Sequence, residues 1–115
     1  MSIISPYVYV GLSDVTFSIR QPRYLFNRLL TIVCIHMNVS SGDLLSSRRH
    51  RPLVMARQMM GYLLRKEYDL NLTTIGRLFG KHHSTIIHQL KSHGHDFETS
   101  RQYREMYINI KEQLL

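Results

Sequence analysis

From Pro22 onward the apolar residues recur every three or four positions, whereas before it they alternate only weakly around Tyr7-Val8-Tyr9-Val10. Helical spacing of Leu25, Leu29, Ile32, Val33 and His36, widened by Phe26 and Leu30, predicts a first helix over about Pro22 to Met37. Asn38 to Asp43 is rich in turn formers, with Ser41 placed to cap a short turn holding Asp43-Leu44-Leu45. Pro52, at a first helical position, predicts a helix running to about Tyr68 that buries Ala56, Met60, Leu63 and Leu64. Its opposite stripe is expected to carry Arg57, Gly61 and Arg65 outward, with Gln58 alongside. Thr73 reads as the N-cap of a short helix that points Ile75, Leu78 and Phe79 inward and stops at Gly80. A helix from His83 to His93 follows, anchored by Ile86, Ile87 and Leu90 and ended by Gly94. The last, Phe97 to Leu114, is expected to bury Tyr103, Met106, Tyr107, Ile110 and Leu114.

Residues 1–20, punctuated by Pro6, Gly11 and Ser13, read as an irregular or extended N-terminal arm with room for one short strand. The expected organisation is therefore that arm followed by one all-α domain over residues 21–115, without internal repeats or low-complexity segments. At 115 residues and 43% hydrophobic content the chain can bury a real core. One cysteine, Cys34, allows no internal disulfide and suits a reducing compartment. The apolar run Leu29 to Val39 is short, is broken by His36 and Asn38, and starts too late for a signal peptide, so a soluble cytoplasmic protein with no membrane partner is expected.

Charge narrows the function. The formal net charge is +7. Arg48 to Lys91 holds nine Arg or Lys against the two acids Glu67 and Asp69, so its surplus of seven matches that of the whole chain. Such a concentration points to a polyanionic partner, nucleic acid before membrane. Within it lie the cluster Arg48-Arg49-His50-Arg51 and then two short helical patterns joined across Gly80-Lys81-His82, which is the layout of a helix-turn-helix with a basic loop in front of it.

The order and spacing of Leu44-Leu45-Ser46-Ser47-Arg48-Arg49-His50-Arg51, Ala56-Arg57-Gln58-Met59, Ile75-Gly76, Phe79-Gly80 and His83-Ser84-Thr85-Ile86-Ile87-His88 resemble the C-terminal DNA-binding domain of the bacterial replication initiator DnaA. The resemblance spans about residues 22 to 115 and is densest between 44 and 90. It implies a helical bundle with a Trp-repressor-like helix-turn-helix, whose second helix enters the major groove while an arginine of the basic loop enters the minor groove. Carried over, the minor-groove role falls on Arg49 and phosphate contacts fall on Arg57 and Gln58. The signature before the recognition helix is met by Lys81, His83, Ser84 and Thr85, but His82 stands where the family has aspartate, and a preceding glycine found in many members is missing. A carboxylate there caps the helix and accepts from a cytosine amino group; a histidine caps less well and meets a purine acceptor or phosphate instead, so the preferred site is expected to differ. These residues have no counterpart of the initiator's ATPase domain. Gly76-Arg77-Leu78-Phe79-Gly80-Lys81-His82 is one residue short of a phosphate loop, ends in the wrong residue and lies between helices, so no nucleotide is expected.

The candidate DNA contacts are thus Arg48, Arg49, Arg51, Arg57, Gln58, Arg65, Lys81, His82, His83, Ser84 and Thr85. An arginine is suited to the negative potential of a narrow A·T-rich minor groove. Thr85 offers a methyl to thymine, Ser84 and Thr85 offer hydroxyls, and Lys81 can reach guanine or phosphate. Five histidines lie between His82 and His95, yet none are spaced i, i+4 and no cysteine joins them, so no metal or other cofactor is expected. His88 reads as a packed or hydrogen-bonded side chain, and Cys34 as part of the first helix's apolar stripe. The expected function is non-enzymatic, sequence-preferring binding of double-stranded DNA in replication or transcription. A metal-dependent nuclease is the rival from the enzyme class, opposed by the scarcity of acids near the histidines beyond Asp96 and Glu98. RNA binding is the other rival, for which the charge suffices but the groove-reading segment is superfluous.

Overall fold

The computed structural model describes residues 21–114, which form six α-helices and no strand. The arm expected over residues 1–20 lies outside the described residues. The helices are α1 (Pro22–Met37), α2 (Ser41–Leu45), α3 (Arg51–Lys66), α4 (Leu72–Phe79), α5 (His83–Thr99) and α6 (Arg101–Leu114). None is long and apolar enough to cross a membrane.

Pro22 opens α1, and Asn38, in the left-handed conformation at φ 55°, closes it while its N–H bonds back to the last turn. Between them Phe26, Leu29, Val33 and Met37 bury one stripe. Ser40, rather than Ser41, caps α2, its Oγ accepting from the Asp43 N–H at 3.1 Å. Asn71, rather than Thr73, caps α4 by accepting from the Thr74 N–H at 2.8 Å, which draws Leu72 and Thr73 into the first turn.

α3 is the axle of the fold, since it packs against all five other helices. Every residue from Ala56 to Gly61 is therefore buried, including Arg57, Gln58 and Gly61, which the two-face reading had placed outward. Of that stripe Arg65 alone is exposed. The core runs from an edge-to-face contact of Phe26 with Phe79, centroids 5.1 Å apart, to an aromatic cluster in which Tyr62 stacks on His93 at 4.0 Å and Tyr107 packs edge-on against both.

Gly94 does not end α5. The helix passes through it to Thr99, and the chain turns only at Ser100, whose backbone is extended and whose Oγ accepts from the Tyr103 N–H at 3.1 Å. Interior glycine weakens a helix by only about 1 kcal/mol, and the burial of His93 and partial burial of Phe97 on either side of it outweigh that. α6 accordingly starts at Arg101, not Phe97.

The glycines differ in what a methyl group would meet. At Gly94 a Cβ would have no neighbour within 4 Å, so Gly94→Ala is expected to raise stability by about 0.5–1 kcal/mol. At Gly76 it would lie 2.6 Å from the Lys81 carbonyl oxygen, so Gly76→Ala is expected to lower stability by roughly 1–3 kcal/mol. Urea unfolding of the two variants checks both signs; equal effects would contradict the placement of Gly76 against the turn.

Candidate nucleic-acid interface

The turn between α4 and α5 is built from Gly80, which sits at φ 72° and donates to the Arg77 carbonyl, while Lys81 N–H reaches the Gly76 carbonyl at 2.8 Å. Only a side chain as small as that of Gly76 lets the two strands of the turn approach so closely. α5 then begins at an unusual cap: His82 Nδ1 accepts from the Ser84 N–H at 3.2 Å and lies 2.9 Å from Ser84 Oγ. The His82 and His83 rings lie 4.2 Å apart, and Lys81, His82, His83, Ser84 and Thr85 are all exposed at this end. Uncapped N–H groups and the helix dipole make it favourable to anions.

The basic loop faces the same side. A hollow of about 330 Å³ is bordered by Ser47 and Arg49 of the loop and by Lys81, Thr85 and His88 of the turn and α5. Of the loop arginines, Arg48 lies 3.8 Å from Asp43 and Arg51 donates to Asp96 at 3.1 Å. Arg49 is exposed and, among the described residues, makes no ion pair or side-chain hydrogen bond. Arg65 lies away from this hollow and donates to the Leu70 carbonyl at 3.0 Å.

Arg57 and Gln58 are corrected by their surroundings. Arg57 is 9% exposed, and its guanidinium donates to four carbonyls: Nε to Leu44 at 2.7 Å, Nη1 to Arg48 at 2.6 Å, and Nη2 to Asp43 at 3.0 Å and Ser46 at 2.9 Å. Burial, and then the charge of Arg49, push its pKa down. With four of five donors engaged it is a strut beneath the loop and not a phosphate contact. Gln58 is buried, and its Nε2 donates to Asp96 Oδ2 at 2.9 Å and, at 3.4 Å, to the Tyr103 hydroxyl.

That hydroxyl lies 2.6 Å from His93 Nδ1. Since it accepts from Gln58, it donates to a neutral His93, and burial lowers the His93 pKa to about 4. Burial likewise raises the Tyr103 pKa, against the hydrogen bond from Gln58. For Asp96 burial acts to raise the pKa, but the hydrogen bonds of Gln58 and Arg51 together with the Arg51 charge prevail and lower it. Hence the packed histidine of α5 is His93; His88, expected in that place, is exposed and lines the hollow. His93 lies seven residues after Ile86 and four before Phe97, a stripe that becomes visible once the helix is carried through Gly94.

A family model described as the bacterial dnaA protein helix-turn-helix matches residues 26–92. The chromosomal replication initiator protein DnaA of Thermomicrobium roseum is 34% identical over 87 residues, covering 75% of this chain and 19% of that protein. The same-named protein of Gloeobacter violaceus is 43% identical over 63 residues, covering 54% of this chain and 14% of that protein. Among solved structures, one described as a DNA replication initiation factor superposes with a TM-score of 0.71 at 27% identity, over 91% of this chain and 32% of that one. The chain thus spans about a fifth or less of the length of these initiator relatives.

Two outcomes are expected. Arg57→Met removes the donors of four loop carbonyls, and the domain should lose about 2–4 kcal/mol by urea unfolding; a loss below about 0.5 kcal/mol would mean the loop stands without it. His93 binds fewer protons folded than unfolded between pH 4 and 6.5, so its share of stability is complete above pH 6.5 and lost as pH falls toward 4. Roughly 3 kcal/mol should disappear across that window. In His93→Phe the slope should flatten; an unchanged slope would assign the proton uptake elsewhere.

Proposed function

The chain belongs to the bacterial DnaA family through its helix-turn-helix DNA-binding domain, and from that premise we propose that it is a sequence-preferring reader of double-stranded DNA that acts in the cytoplasm in replication initiation or transcription. α5 enters the major groove by its N-terminal half, and Arg49 enters the adjoining minor groove. The observation that carries this reading is the convergence of Arg49 with Lys81, Thr85 and His88 on one hollow, because a loop arginine and a recognition helix on one side of the molecule can address neighbouring grooves. Thr85 and Ser84 supply a methyl and hydroxyls to base edges, while Lys81, His82 and His83 supply cations or donors around the helix end. Arg48 and Arg51, each near an acid, add to the positive field. Arg57 and Gln58 act from beneath, by holding the loop and α5 where the exposed groups can reach.

The first test compares duplex with single-stranded DNA and then selects bound duplexes from a random pool. Tight duplex binding with a recovered motif is expected; equal binding to single strands would reject groove reading. Arg49→Ala should weaken preference for flanking A·T pairs by about 1–3 kcal/mol and leave the core motif intact. His82→Asp should strengthen the cap, adding about 0.3–1 kcal/mol to stability, and move one base pair of the motif toward cytosine. Recovery of the same motif by both proteins would show that position 82 faces no base edge.

A further inference from the structure

The hollow beside Arg49 continues along α5. A second hollow shares Val54, Gln58, His88 and Ser92 with it and extends to Lys91 and His95, so the two form one trough between α3 and the exposed flank of α5. From Thr85 to His95 this flank runs about 15 Å. Inside the trough one polar group is unexplained: Gln89 Oε1 is buried with no hydrogen-bond partner, packed against Gly61, where a Cβ would lie 3.2 Å from it. With that oxygen fixed inward, the amide nitrogen of Gln89 is the part of the group left to face the trough. Lys91 is exposed at the trough's far end, and Asp96, the acid there, has its Oδ2 occupied by Gln58 and Arg51.

Neighbouring minor and major grooves of a duplex are separated by one sugar–phosphate strand, so a protein that fills both must accommodate that strand between its two reading elements. We propose that this trough is its seat, with the Gln89 amide and the Lys91 ammonium as phosphate contacts in addition to the residues that face the grooves. The inference rests on the groove-reading function above. Gly61 belongs to the same device, because a bare Cα leaves the space into which the Gln89 oxygen turns, and this directs the nitrogen outward. The contacts are to backbone, so they fix register without carrying sequence information.

The test measures duplex affinity over a range of salt concentrations for the full chain, Lys91→Gln and Gln89→Leu, with the motif selected by each. Lys91→Gln should weaken all duplexes alike and lower the salt slope by about one unit. Gln89→Leu, which removes an unpartnered buried oxygen and so should fold, is expected to bind every duplex roughly three- to tenfold more weakly with an unchanged salt slope. A Lys91→Gln slope equal to that of the native chain, or an altered motif in Gln89→Leu, would overturn the proposal while leaving groove reading intact. Failure of the native chain to prefer duplex would overturn both.

Discussion

The position of the basic loop depends on one buried cation. Residues 43–48 offer carbonyls but few backbone bonds of their own beyond the short turn of α2, and such a segment stays in place only if something inside the protein satisfies it. Arg57 does so with a planar fork that meets four carbonyls at once, a task for which a lysine's point charge has the wrong shape. The loop carbonyls in turn make the burial of the guanidinium tolerable. Arg49, close enough for its charge to act on Arg57, has a stationary like charge below it and open solvent above.

Gln58, the next residue along α3, performs the corresponding task for α5. Its amide bridges Asp96 and Tyr103, and Tyr103 reaches His93, so α3, α5 and α6 meet in one hydrogen-bonded chain backed by stacked aromatic rings. Adjacent residues of one helix thereby hold the two exposed reading elements in a common frame. Satisfied polar networks of this kind set geometry where apolar packing alone would tolerate sliding.

Much of this was legible in the sequence, and the parts that were not have a common physical origin. The span of α1, the Pro-initiated α3 and the Gly80 turn follow from periodicity and from residues with special backbone preferences. The exposed end of α5 was legible as well, because capping residues and basic groups crowd there. What periodicity could not give was α3's lack of an outer face: a helix enclosed by five others buries its polar residues too, and the rule of one wet and one dry side fails. Arg57 nonetheless shares a stripe with Leu53, Met60 and Leu64, and an arginine on an apolar stripe signals a buried anchor. His93 was hidden by treating Gly94 as a terminus, although glycine without a left-handed conformation is an ordinary, if weak, helical residue.

The length of α5 beyond Gly94 has a kinetic meaning. Half of this helix is exposed for reading, and the other half is clamped through His93 and Asp96 to two neighbours. A reader clamped in this way cannot rock to recover contacts when a base pair is wrong, so each missing contact remains missing for the life of the complex. Right and wrong sites are then met at similar rates and told apart by how long each is held, and selectivity is written in residence times.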